Sequence, residues 1–139
     1  MNHICCYGEI LWDIFHDDKK IGGAPLNSAL RFKSLGNNVE IISAVGKDPL
    51  GDKLISFLNN NGISTKFILR NRNETGKVII SLDKQKNATY NIKNNVAWDF
   101  IAINDLMIEK VNNSDAFIFG SLSSRNNPTK KTLFELLPP

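Results

Sequence analysis

The chain has 139 residues, 42% of them hydrophobic and 22% charged, with a formal net charge of +3. That length predicts one compact domain, burying roughly two thirds of its unfolded surface. Acidic and basic residues are interspersed without a basic run, which argues against a nucleic-acid partner, and neither a signal-type start nor an apolar run near twenty residues points to a membrane, so a soluble cytoplasmic protein is expected.

In chain order, His3 to Glu9 is an apolar run ending at Gly8-Glu9 and predicts a buried strand of the parallel type. Consecutive side chains of a strand point to opposite faces, so the adjacent Cys5 and Cys6 cannot easily pair and read as buried free thiols. Together with His3 and His16 they do not match structural zinc spacing, and no metal site is expected. Ile10 to Phe15 mixes apolar and acidic residues, His16-Asp17-Asp18-Lys19 has turn chemistry, and Lys20-Ile21 leads back to a glycine pair, which together predict a hairpin. Ala24 to Leu35 is a helix, with Pro25 in its first turn and Gly36 as the left-handed residue that ends it.

Val39 to Gly46 is a β-branched strand, and Asp48-Pro49 opens a second helix that stops at Asn61-Gly62. Strand, helix, strand, helix is the alternation of an α/β fold. Between Thr65 and Ile92 the pattern changes: Phe67-Ile68-Leu69, Val78 to Leu82 and Ala88 to Ile92 read as short strands of a small antiparallel sheet inserted into that core. A helix near Asn104 to Val111, a buried strand Ala116 to Gly120, and a last helix from Asn127-Pro128 to Leu137 complete the reading.

The densest cluster of constraints is Gly22-Gly23-Ala24-Pro25-Leu26-Asn27. Paired glycines let backbone approach a ligand closely, and Asn27 offers both a donor and an acceptor. Asp13, beyond the first strand, can accept hydrogen bonds from two neighbouring hydroxyls of a ligand, and such charge-assisted bonds are the stronger class. Each residue alone is equally compatible with a turn, a strand edge or a solvated first helical turn. Together they converge on one rim of an α/β sheet, outside the carboxyl ends of the strands, where ligands of such folds bind.

The glycine pair, the Ala-Pro that follows it, Asn27, and then Gly36 and Gly46 are spaced as in the N-terminal signature of the ribokinase family, the PfkB-type carbohydrate kinases, and the chain resembles that family at every defined position of the signature. The resemblance implies a three-layer α/β/α sheet with a small β-sheet lid, formed by segments of about residues 11–21 and 66–92 of a domain spanning 1–139. It implies that Asp13, Gly22, Gly23 and Asn27 bind a sugar, that ATP with Mg2+ phosphorylates a hydroxyl of it, and that the lid is a homodimer interface. Gly8-Glu9 followed by Asp13, with Phe119-Gly120-Ser121-Leu122, is closest to the fructokinase-like branch. Trp98-Asp99, just after the second lid segment, is placed to approach the sugar.

The family's second signature, an Asp-Thr-x-Gly-Ala-Gly-Asp type segment carrying the anion hole and the catalytic base, has no counterpart in this sequence. The expectation is therefore the N-terminal, sugar-binding half of such a kinase, with no catalytic residue of its own, with the nucleotide site largely elsewhere, and inactive by itself. Two other readings stay open: a nucleoside in place of the sugar, and a non-catalytic sugar-binding or dimerising module.

Overall fold

The computed structural model describes residues 1–138; Pro139, with which the expected domain ends, lies outside them. In chain order the elements are β1 (His3–Tyr7), β2 (Leu11–Ile14), β3 (Lys19–Gly22), α1 (Ala24–Ser34), β4 (Asn38–Gly46), α2 (Pro49–Asn60), β5 (Ile68–Asn71), β6 (Gly76–Leu82), β7 (Ala88–Ile92), α3 (Asp105–Asn112), β8 (Ala116–Phe119) and α4 (Asn127–Leu136). Short 3-10 turns lie at Ala97–Asp99 and Leu122–Arg125.

β1 is the centre of the main sheet, whose order is β5-β4-β1-β8 with every pair parallel. Its alternate side chains enter two different cores. Ile4 and Cys6 pack with Leu26 and Ala29 of α1 and Leu54 and Leu58 of α2. Cys5 and Tyr7 pack on the opposite face with Met107 and Val111 of α3 and Leu133 and Leu136 of α4. The sheet is thus covered by helices on both sides, in the three layers that buried parallel strands require. The same alternation leaves Cys5 and Cys6 as buried free thiols, and burial pushes each up to about 12.

Helix boundaries follow from local chemistry. Asp48 caps α2 by accepting from the Gly51 N–H at 2.8 Å, and Asn104 caps α3 by accepting from the Met107 N–H at 2.9 Å. α1 has no side-chain cap at Gly23, carries Pro25 in its first turn, and ends before Gly36 at φ +89°.

The second sheet has the order β3-β2-β6-β7. β2 and β3 form the expected hairpin, and β6 pairs antiparallel with β7, but β2 runs parallel to β6, so this small sheet is mixed. The segment expected to contribute to this sheet from residue 66 joins it only from Gly76. Ile68–Asn71 extends the main sheet beside β4 and buries Ile68 in its core, because a short apolar run carries no signal that separates a core-edge strand from a lid strand. β8, expected to be buried, is a sheet edge with Phe119 46% exposed, since its other side bears no strand among the described residues.

Candidate functional site

The rim lies beyond the carboxyl end of β1, where Gly8 turns the chain at φ +136° and the Ser43 hydroxyl donates to the Gly8 carbonyl at 2.5 Å. β2 then places Asp13 opposite Lys20 of β3 and beside Val78 of β6. The carboxylate is half-buried, and desolvation raises its pKa above the usual aspartate range. A Cβ built on Gly22 would stand 2.5 Å from Asp13 Oδ2, so a side chain at 22 and this position of the carboxylate exclude each other. Gly23 is required for two other reasons: its φ is +108°, and a Cβ there would collide with the Glu9 carbonyl. Asn27 sits one turn into α1, its N–H donating to the Gly23 carbonyl at 2.9 Å and its side chain exposed. All four expected residues therefore meet on one rim, Asn27 at its outer edge.

Three further groups lie around this rim. Glu9 is 3% exposed, and its Oε2 is buried without a hydrogen-bond partner. Burial raises its pKa, against the pull of its own N–H, that of Ala24 at the start of α1, and the Arg125 guanidinium. Ser123 lies against Gly8, where an added Cβ would stand 3.0 Å from its Oγ. Trp98 is fully buried, its indole N–H unpartnered and packed against Gly76, at the first residue of β6. Trp98 and Asp99, expected to approach the sugar, are both fully buried, Trp98 beneath the start of β6 and Asp99 in an ion pair.

Asp99 is fully buried and binds Arg125 through both oxygens, Oδ1 at 2.9 Å from Nε and Oδ2 at 2.8 Å from Nη2, while Oδ2 also accepts from the Val96 N–H at 3.1 Å. The Arg125 guanidinium lies over the Trp98 ring at 4.1 Å and donates from Nη2 to the Lys93 carbonyl at 2.5 Å. Sequence reading missed Arg125 because its partner is 26 residues earlier in the chain.

A second node fixes where β6 leaves the core. Asp48 accepts from the Thr75 hydroxyl at 2.6 Å and from the Thr75 N–H at 2.9 Å, and Thr75 Oγ1 accepts from the Gly46 N–H at 2.9 Å. The Ala97 N–H donates to the Glu74 carbonyl at 2.7 Å, joining the segments that lead into β6 and out of β7.

A partly desolvated carboxylate beside backbone stripped of side chains suits a ligand rich in hydroxyls, which supply donors to the carboxylate and pack flat on the glycines. Among the described residues, no three His, Cys, Asp or Glu side chains come together as metal ligands, and no helix is long and apolar enough to cross a membrane.

The family model for pfkB family carbohydrate kinases matches residues 1–136. The chain is 30% identical over 128 residues to the uncharacterized sugar kinase PH1459 of Pyrococcus horikoshii, covering 91% of this chain and 41% of that protein. It is 28% identical over 145 residues to a fructokinase of Vibrio alginolyticus, covering 99% and 46%. The crystal structure of PH1459 in complex with ATP superposes with a TM-score of 0.87 at 28% identity, over 96% of this chain and 48% of that one. The chain spans about half the length of the relatives it matches.

Proposed function

Since the chain belongs to the pfkB family of carbohydrate kinases, we propose that it supplies the sugar-binding half of an enzyme that transfers a phosphoryl group from ATP to a hydroxyl of a sugar, fructose or a close relative of it. The observation that carries this reading is the fit of the Asp13 carboxylate against Gly22, where a side chain would displace it. Ionised Asp13 accepts from two sugar hydroxyls, the Gly22-Gly23 backbone lies against the ring, and Asn27 closes the outer edge of the rim. The fructokinase relative and the wording of Gly8-Glu9 with Asp13 favour a ketohexose.

Phosphoryl transfer to a sugar competes with transfer to water, and in this reading the second sheet, which carries Asp13 on β2 opposite β3, is the lid that excludes water once the sugar is bound. The nucleotide, bound with magnesium in kinases of this kind, supplies the phosphoryl group. No residue of this chain is assigned to the metal, because its acidic and imidazole side chains nowhere gather as a ligand set among the described residues. The anion hole and the base that takes the hydroxyl proton belong to a glycine-rich segment ending in Asp that the sequence does not contain, so the chain by itself binds sugar without turnover.

Calorimetry of the chain with fructose, with adenosine as competitor and Asp13→Ala as control, tests the reading. Fructose binding that the Asp13→Ala variant loses supports it. Tighter binding of adenosine replaces the sugar with a nucleoside, and binding of neither overturns it.

A further inference from the structure

Arg125 stands where three parts of the molecule meet. Its guanidinium holds the fully buried Asp99 in a two-pronged ion pair, covers Trp98, and donates to the carbonyl of Lys93, the residue that follows β7 and brings the chain back from the lid. Asp99 in turn accepts from the Val96 N–H, so the return segment 93–96 is fastened at both of its ends. The 3-10 turn that carries Arg125 also carries Ser123, which is packed against Gly8; the same position of Gly8 is bounded by Pro25, in the first turn of α1. The turn is therefore in contact, on one side, with the chain leaving the lid and, on the other, with the strand exit against which the glycine pair is laid.

We propose that Arg125 is a positioning residue of the site: through Asp99 and the Lys93 carbonyl it holds the lid's return segment, and through the turn that bears it, seated by Ser123 on Gly8, it keeps that segment in register with the strand exit and the Gly22-Gly23 backbone. A lysine cannot replace it, because the ammonium lacks the planar fork that reaches both Asp99 oxygens and still covers the indole. The Glu9 carboxylate, buried with one oxygen unpartnered and under the influence of the Arg125 charge, is a second reason for a fixed cation at this point. That the ligand is a sugar rests on the function proposed above; the tie between lid and rim does not.

The test compares the wild-type chain with Arg125→Lys and with the paired variant Arg125→Met/Asp99→Asn, in which neither partner of the ion pair is left charged without the other. Amide hydrogen exchange is followed at 93–97 and at 22–24, with Leu54 to Leu58 of α2 as the internal reference, and fructose affinity is measured by calorimetry. Exchange at both segments is expected to rise at least about tenfold while the reference helix is unchanged, and affinity to fall about tenfold. Arg125→Lys should lie between wild type and the paired variant. Unchanged exchange at 22–24 overturns the proposal, whatever happens at 93–97, and so does a uniform rise that includes α2. Should the paired variant fail to fold, Arg125→Lys decides by the same two segments. Should the wild-type chain bind no sugar, the function proposed above fails while the exchange result still decides the role of Arg125.

Discussion

The Asp13 carboxylate on β2 and the Cα of Gly22 on β3 occupy adjoining space with no room for a methyl group between them, since a Cβ at 22 would come within 2.5 Å of Oδ2. Gly22 does not have a positive φ, so alanine there costs no backbone strain. The added methyl acts on the carboxylate alone. Gly22→Ala should keep its thermal midpoint within a few degrees of wild type and weaken sugar binding by about 1.5–3 kcal/mol, the scale of a lost hydrogen bond to a charged group. Calorimetry with fructose beside a thermal melt separates the two effects, and wild-type affinity in this variant would remove Asp13 from the site.

Asp13 also makes the site sensitive to acid. Its folded-state pKa is raised by burial, so folding favours the protonated carboxyl: this contribution to stability is fully present below the unfolded value near 3.9 and is lost as pH rises through the folded pKa. Sugar binding has the opposite sign, because only the ionised form accepts from two hydroxyls. Affinity should hold at neutral pH and fall on acidification in a window above that of an ordinary aspartate. Asp13→Asn should melt higher than wild type at neutral pH and bind sugar weakly at every pH. Parallel pH series of melting and binding check both signs, and an Asn variant that melts lower contradicts the burial argument.

Asp48 behaves in reverse. Burial opposes its charge, yet the Thr75 hydroxyl, the Thr75 N–H and the Gly51 N–H outweigh burial and lower its pKa. A depressed carboxylate stabilises the fold above its unfolded pKa, and that contribution disappears as pH falls through the folded value. Asp48→Ala removes the cap of α2 and strands the Thr75 N–H at the foot of β6, so a loss of about 1–3 kcal/mol is expected at pH 7. Denaturant unfolding at pH 7 should show the gap, and the same measurement carried below the usual aspartate range should show it narrowing as the wild-type carboxylate protonates. A pH-independent difference would mean that the loss is one of packing.

The parts of this fold that were legible in sequence are those whose determinants are local. Asp48-Pro49 and Asn104 cap their helices, Gly36 ends α1, and the β-branched run of β4 bounded by Gly46 needs no distant partner to be recognised. The rim at Asp13, Gly22, Gly23 and Asn27 was legible because three of its four residues lie within one turn–helix unit and spacing carries their relationship. What was misplaced depends on pairing across the chain. Phe67-Ile68-Leu69 has the composition of a lid strand, and only its parallel register with Ser43 to Gly46 assigns β5 to the core. Thr75 and Arg125 are unremarkable in sequence because the partners that give each its role lie in other elements far along the chain.

The lid leaves a further physical problem, which a second copy of the chain would solve. Ile80 and Tyr90 are opposite each other on one face of the β6–β7 pair, Leu82 lies on that same face opposite Ala88, and Leu82 and Tyr90 are 66% and 64% exposed. β3 and β7 are open edges of the small sheet. Exposed apolar side chains in a row beside an unpaired strand edge favour association with a matching surface, and a two-fold dimer presents the same patch from each copy. The homodimer that the family resemblance implies would close over these residues, and a lysine placed among them would have to be buried without a partner. Leu82→Lys and Tyr90→Lys are each expected to sediment at half the wild-type mass while retaining the wild-type melting temperature of the core, because both side chains are largely exposed and neither belongs to either core cluster. Sedimentation that finds the wild-type chain monomeric at every accessible concentration would end the dimer proposal, and a wild-type dimer that both lysine variants retain would move the interface off this face of the lid.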